Sequence, residues 1–331
     1  MKRFLPDTFT ILLVLTVLFA SQVPIYGQPA EWFSTATKIA IAALFFLHGA
    51  RLSRDVVIAG LLHWRLHLMI VLVTFGLFPL VGFGLSYALK GFLSPTLFIG
   101  VLYLCTLPST VQSSIAFTSM AGGNVPAAIC AASASNIFGM FLTPLLCGLI
   151  LSAGGHGGVS LDAMLQIFTQ LLLPFIAGQL LQPWIGNWVR AHKKILMPID
   201  RGSILMVVYG AFSEAMIEGI WHNFDLADIG LIVVIDAVLL ALMLTITMFG
   251  SRKLGFSRED EITITFCGSK KSLASGVPMA NAIFAGQAVG AIVLPIMIFH
   301  QIQLMTCAVL AQRYAAKAHK DAEAAAPAAA A

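Results

Sequence analysis

The sequence predicts an all-α integral membrane protein of ten transmembrane helices, arranged as two inverted five-helix repeats with a broken helix in each half. Three observations predict it: a composition that cannot face water, a one-sided distribution of Lys and Arg, and two interruptions at matching places. Of 331 residues, 59% are hydrophobic and only 10% charged, and the mean hydropathy is +0.91. A soluble domain carries about 25% charged residues. Most of this surface must therefore meet lipid, where only helices or closed barrels satisfy their own backbone.

A bilayer core of about 30 Å takes roughly 20 apolar residues per helix. The apolar runs divide into spans at about 8–26, 35–52, 67–89, 95–120 and 125–152, then 163–188, 198–220, 226–250, 259–285 and 288–315. The first repeat is then 1–153 and the second 154–315, followed by a low-complexity Ala/Pro tail at 316–331. Residues 54–64 read as a short interfacial helix. Lys2-Arg3 before an apolar run resembles a secretory signal, but the run is long enough to span, lacks a small-x-small cleavage site and leads into further spans.

With the N-terminus inside, the cytoplasmic segments hold fifteen Lys and Arg, and the outer segments hold Lys38 and Lys90. The remaining two, Lys270 and Lys271, fall inside span 9. This asymmetry is the positive-inside pattern of a cytoplasmic (inner) membrane protein with both termini in the cytoplasm. The net charge of +4 is scattered, so no nucleic-acid partner is indicated. Cys105, Cys130, Cys147, Cys267 and Cys307 lie in apolar runs without CxxC spacing, which indicates neither a disulfide framework nor a metal site.

The interruptions point to function. Span 4 breaks at Leu107-Pro108-Ser109-Thr110, where proline removes a backbone donor and clashes with the preceding turn. Span 9 breaks around Gly268-Ser269-Lys270-Lys271-Ser272. Downstream, Gly123-Asn-Val-Pro-Ala-Ala-Ile129 echoes Gly286-Gln-Ala-Val-Gly-Ala-Ile292, which sets Pro108 opposite Lys271. Half-helices that begin at the membrane midplane present partial positive charge, and those that end there present carbonyls. Anions suit the first and cations the second. The crossing of spans 4 and 9 is the expected site.

Ionisable residues inside the bilayer are costly and functional by default. Lys270 either neutralises helix-end carbonyls or holds its ammonium where a transported cation would bind; Lys271 pairs or snorkels. Asp236 in span 8 either pairs with Lys270, packing the helices, or binds a proton or cation. Ser109, Thr110, Gln112, Ser113 and Ser114 are dense enough to line a cavity, with Ser133, Ser135 and Asn136 of span 5 facing it or joining helices. Gln179, Gln182, His300, Gln301 and Gln303 are weaker cases, and His48 reads as a helix-end histidine.

These segments, Pro108-Ser-Thr-Val-Gln-Ser-Ser114, Gly123-Asn-Val-Pro126, Thr143-Pro144 and Cys267-Gly-Ser-Lys-Lys-Ser-Leu273, resemble the bile acid:sodium symporter family, in its SBF-like branch. The resemblance runs over roughly residues 8–315. It implies a core domain of spans 3–5 and 8–10, a panel domain of spans 1, 2, 6 and 7, and an organic-anion substrate bound between them with sodium. The family's sodium ligands map onto Ser113, Ser114, Ala128, Ala132, Thr74, Phe266 and Lys270. Most side-chain oxygens are gone, Ser113 and Ser114 being those that would serve if sodium binds, against the six or so oxygens that a hard cation wants. The resemblance thus implies the fold more firmly than the ion, leaving sodium, a proton or no coupling ion. No cofactor is expected.

Two other readings compete. A cation/proton antiporter also uses crossed broken helices, but span 5 lacks paired aspartates. An integral-membrane enzyme would need a motif such as HExxH, a carboxylate cluster or a Gly-rich phosphate loop, none of which occurs here.

Overall fold

The computed structural model describes residues 8–51, 63–88, 91–153, 168–217, 219, 226–285 and 287–325, and these are helical with short connections. The first helices are α1 (Thr8–Gln22) and α2 (Gln28–Arg51). Helix α3 comprises Trp64–Leu72, a π turn at Val73–Leu77 and Phe78–Ala88. Then come α4 (Pro95–Thr106), α5 (Gln112–Met120) and α6 (Val125–Ala153). The second half holds α7 (a π turn Phe168–Leu172 continuing as Leu173–Ala191), α8 (Lys193–Ile217), α9 (Leu226–Lys253), α10 (Arg258–Gly268), α11 (Leu273–Ile283) and α12 (Val289–Ala325).

Six of these helices are long and apolar enough to cross a membrane, and two shorter apolar helices include Pro95–Thr106. The expected interfacial helix lies largely outside the described residues. Helix α12 continues to Ala325, through the first part of the Ala-rich tail; alanine has the highest helix propensity of any residue, so low complexity does not end the helix here.

The surface is inverted relative to a soluble protein. Leu18, Phe19, Leu80, Phe141, Leu149, Leu180 and Val238 are exposed, while Thr74, Ser109, Ser114, Asp236, Lys270, Lys271 and Gln303 are buried. That is the distribution lipid selects. Helices α1, α2, α7 and α8 pack on one another; α3–α6 and α9–α12 form a second group, joined to the first mainly through α8 against α11 and α12.

Close backbone approach decides the tightest contact. Where α2 meets α7, a Cβ at Gly49 would strike the Phe175 carbonyl, and one at Gly178 the Phe46 carbonyl. Such glycine notches let membrane helices approach without a hydrophobic driving force. Elsewhere, Gly122 takes a φ of +76° to turn α5 into α6. Asn124 then holds that turn, accepting from the Ala127 amide at 3.1 Å and donating to Asp260 at 3.0 Å. Ser257 caps α10 through the Asp260 amide. Arg252 grips Glu261 with two hydrogen bonds, 2.9 and 2.7 Å.

Substituting Gly178 by Val should destabilise the detergent-purified protein by about 1–3 kcal/mol, the usual cost of overpacking. Gly202→Ala, inside α8 where an added Cβ meets open space, should not destabilise and should raise stability by up to about 1 kcal/mol through the better helix propensity of alanine.

Candidate functional site

Both breaks exist for a local reason, and they meet. Pro108 has no N–H to give the Leu104 carbonyl, so α4 ends at Thr106 and the backbone runs extended at Leu107 before α5 starts at Gln112. Between α10 and α11 the chain is irregular from Ser269 to Ser272. The two irregular segments touch, with the Ser272 amide donating to the Pro108 carbonyl at 2.8 Å.

In lipid every freed backbone group needs a protein partner, and for these carbonyls at the two helix ends it can be followed. At the end of α4, the Tyr103 carbonyl accepts from the Thr106 hydroxyl at 2.8 Å, that of Leu104 from the Leu107 amide at 3.3 Å, and that of Thr106 from the Thr143 hydroxyl at 2.9 Å. The Cys105 and Leu107 carbonyls are taken by the Lys271 ammonium at 3.0 and 2.6 Å, which also donates to the Thr74 carbonyl at 2.9 Å. At the end of α10, the Thr265 carbonyl is met by the Ser269 hydroxyl at 2.6 Å, that of Phe266 by Ser114 at 2.9 Å, and that of Cys267 by the Ser109 hydroxyl. Each break therefore caps the other.

Side-chain amides fix the irregular backbone. Gln303 of α12 brackets Lys271, accepting from its amide and donating to its carbonyl, both at 2.9 Å. Asn136 of α6 donates to the Ser109 carbonyl at 2.9 Å and accepts from the Ser275 hydroxyl, while Ser135 accepts from the Ser109 amide at 3.0 Å. Ser272 caps α11 by accepting from the Ser275 amide at 3.2 Å.

Lys270, adjacent in sequence, points elsewhere. Its ammonium is fully buried, donates to the Ser113 hydroxyl at 3.2 Å and lies 4.6 Å from the centre of the Phe117 ring and 5.9 Å from that of Phe266. Ser113 donates onward to Thr110 at 2.9 Å, Thr110 lies 2.8 Å from Ser114, and Ser114 donates to the Phe266 carbonyl. Since each hydroxyl has one proton to give, the chain runs in one direction, from the ammonium to the carbonyl end of α10. Helix α5 carries no side-chain cap at its N-terminus, so its first amides and the Lys270 ammonium place positive charge together.

The structure thus brings together Thr74, Pro108, Ser109, Thr110, Ser113, Ser114, Asn136, Gly268, Ser269, Lys270, Lys271 and Ser272. Gln112 is exposed and Ser133 half-buried. The pairing of Asp236 with Lys270, one of the sequence's alternatives, does not form. Among the described residues the ion pairs are Arg51–Asp200 and Arg252–Glu261. Asp236 is buried, and neither of its carboxylate oxygens has a hydrogen-bond partner among the described residues. Lys271 neither pairs with a carboxylate nor snorkels; its three carbonyls hold it. Sequence reasoning gave no role to Phe117 or Phe78, because an aromatic in an apolar span carries no polar signal, and met Phe266 only as the residue at a sodium-ligand position of the family. Gln303 stood out only as one glutamine among several.

Replacing Gln303 by Leu frees a buried amide and a buried carbonyl at Lys271, each worth about 1–3 kcal/mol when left unmade. A clear loss of thermal stability in detergent is expected, whereas Gln301→Leu, on the half-buried side of the same helix, should stay close to the parent.

With this geometry established, comparison with known proteins is direct. The sequence profile of the SBF-like CPA transporter family matches residues 7–316. A protein of Pseudomonas aeruginosa without assigned function is 60% identical over 314 residues, covering 95% of this chain and 94% of the relative. The candidate symporter YfeH of Escherichia coli is 54% identical over 315 residues, 95% of each chain. Sodium/bile acid cotransporter 7-B of Xenopus laevis is 30% identical over 322 residues, 94% of this chain and 92% of the relative. The chain is a membrane transporter and belongs to the SBF-like CPA transporter family.

Proposed function

We propose that this protein is a secondary active transporter that moves a small organic anion across the cytoplasmic membrane by alternating access, without a bound sodium ion. One observation carries the reading: the buried Lys270 ammonium has no carboxylate in ion-pair reach among the described residues and lies at the uncapped N-terminus of α5. A buried charge without a counter-charge is expensive. An anionic substrate would supply the counter-charge, and the helix N-terminus favours the same sign. Phe117 and Phe266 beside it suit an apolar body attached to the acid group. That relatives are named sodium/bile acid cotransporters supports an organic-anion substrate.

The residues present do not fit a sodium ion at the resemblance-derived position. Phe266 offers a ring, Ala128 and Ala132 offer no side-chain oxygen, and the Lys270 ammonium already takes the Ser113 hydroxyl. Coupling then falls to a proton, carried by Lys270 or Asp236, or is absent. In this reading the ten spans form two inverted repeats with cytoplasmic termini, α4–α5 and α10–α11 being the broken fourth and ninth spans. The group α3–α6 with α9–α12 is the core, and α1, α2, α7 and α8 are the panel against which it moves. A cation/proton antiporter is the second reading, favoured only by the buried, side-chain-unpartnered carboxylate of Asp236.

Proteoliposome uptake tests this, using radiolabelled taurocholate and a set of smaller carboxylates. Saturable uptake of at least one, unchanged when choline replaces sodium and reduced at least tenfold in Lys270→Met while thermal stability persists, is the expected result. Sodium-dependent uptake would refute the coupling assignment, and cation-driven proton flux without anion uptake would favour the antiporter. If Asp236 carries the coupled proton, Asp236→Asn should abolish pH-gradient-driven uptake yet retain substrate counterflow; an unchanged response to the gradient would assign the proton elsewhere.

A further inference from the structure

The Lys271 ammonium rests in a cage built from main-chain carbonyls alone. Its three acceptors come from two elements and are orphaned by identifiable events. In an α-helix the Thr74 carbonyl would take the Phe78 amide, but the π turn sends that amide to the Val73 carbonyl. The next residue that could donate is Pro79, which has no N–H. The Cys105 carbonyl would take the Ser109 amide, which instead donates to Ser135, and the Leu107 carbonyl lies in the break itself. A proline and a π turn in α3 and a proline after α4 thus strip donors from carbonyls at one place. The face of Phe78 closes the cage, its ring centre 4.0 Å from the ammonium. The buried hydroxyl of Thr74 has no hydrogen-bond partner among the described residues, leaving a further oxygen beside the cage.

The negative end of a helix dipole, exposed carbonyls and an aromatic face all favour a cation, and none requires that the cation be attached to the chain. We infer that the cage is a binding site for a small monovalent cation, permanently filled by a tethered one. Lys271 is the resident ion, and removing its side chain opens the site to a free ammonium, methylammonium or alkali-metal ion. The inference concerns the fold's own cation and stands or falls independently of which anion the protein carries, because its readout is stability.

The test is thermal unfolding of the full-length detergent-purified protein in choline chloride and, at equal ionic strength, in ammonium, methylammonium, potassium or sodium chloride. The parent protein should melt at one temperature in all five salts. Lys271→Ala should melt lower in choline and recover in at least one of the small cations in a saturable, concentration-dependent way. Above the dissociation constant, each tenfold rise in cation should shift the unfolding equilibrium about tenfold. Lys271→Met, whose apolar chain fills the same space, should be destabilised without recovery, and Lys270→Ala should show no cation dependence. A Lys271→Ala protein that melts alike in every salt, or a parent protein stabilised by one small cation over choline, would overturn the inference. Should Lys271→Ala not fold, reductive methylation of the folded parent decides. Lys271 should remain unmodified while exposed Lys38 and Lys253 react, and modification of Lys271 at their rate would refute a filled cage.

Discussion

Everything near the centre of this protein follows from main-chain carbonyls that lipid cannot hydrate. Pro108 ends α4, the Ser269–Ser272 segment ends α10, and each end exposes acceptors in a region without water. The fold answers by crossing the two breaks, so that side chains of one segment reach the carbonyls of the other. Ser109 and Ser114 serve the end of α10; Lys271 serves the end of α4. Neither half-helix end would be tolerable alone, which binds the first half of the chain to the second more firmly than apolar packing in lipid could.

The two adjacent lysines divide the work because consecutive residues in an irregular segment point in different directions. Lys271 is held by three carbonyls and an aromatic face, an arrangement that leaves it structurally committed. Lys270 has one hydroxyl and two rings. The hydroxyl chain through Ser113, Thr110 and Ser114 ends on the Phe266 carbonyl, so whatever engages Lys270 also acts on the terminus of α10.

The outer surface obeys a separate rule. Helices α2 and α7 approach through Gly49 and Gly178, where backbone rather than side chain makes the contact. The contact between this group and the rest runs largely through α8. It includes Gly290, where an added Cβ would meet the Ala211 carbonyl. Small residues at these contacts let the backbones approach closely.

Much of this was legible in the amino acids themselves. Composition alone required lipid as the solvent, and Pro108 marked a broken helix because a missing N–H is a covalent fact that no packing can restore. Polar residues at 109–114 and 269–272 marked where to look, since their burial in lipid demands a partner. What the residues could not show was which partner each would find. The sequence offered a Lys270–Asp236 pair, yet Asp236 is left without a hydrogen-bond partner among the described residues and Lys270 turns toward Ser113 and Phe117. It offered Lys270 as one candidate to neutralise helix-end carbonyls, yet those of α4 converge on Lys271. They are joined there by an acceptor that the π turn at Val73–Leu77 and Pro79 release in α3, far away along the chain. Covalent chemistry and hydropathy determined that the chain spans a membrane and breaks in two places; only the crossing of those breaks in three dimensions decided which lysine the freed carbonyls hold and which rests on a hydroxyl and two rings.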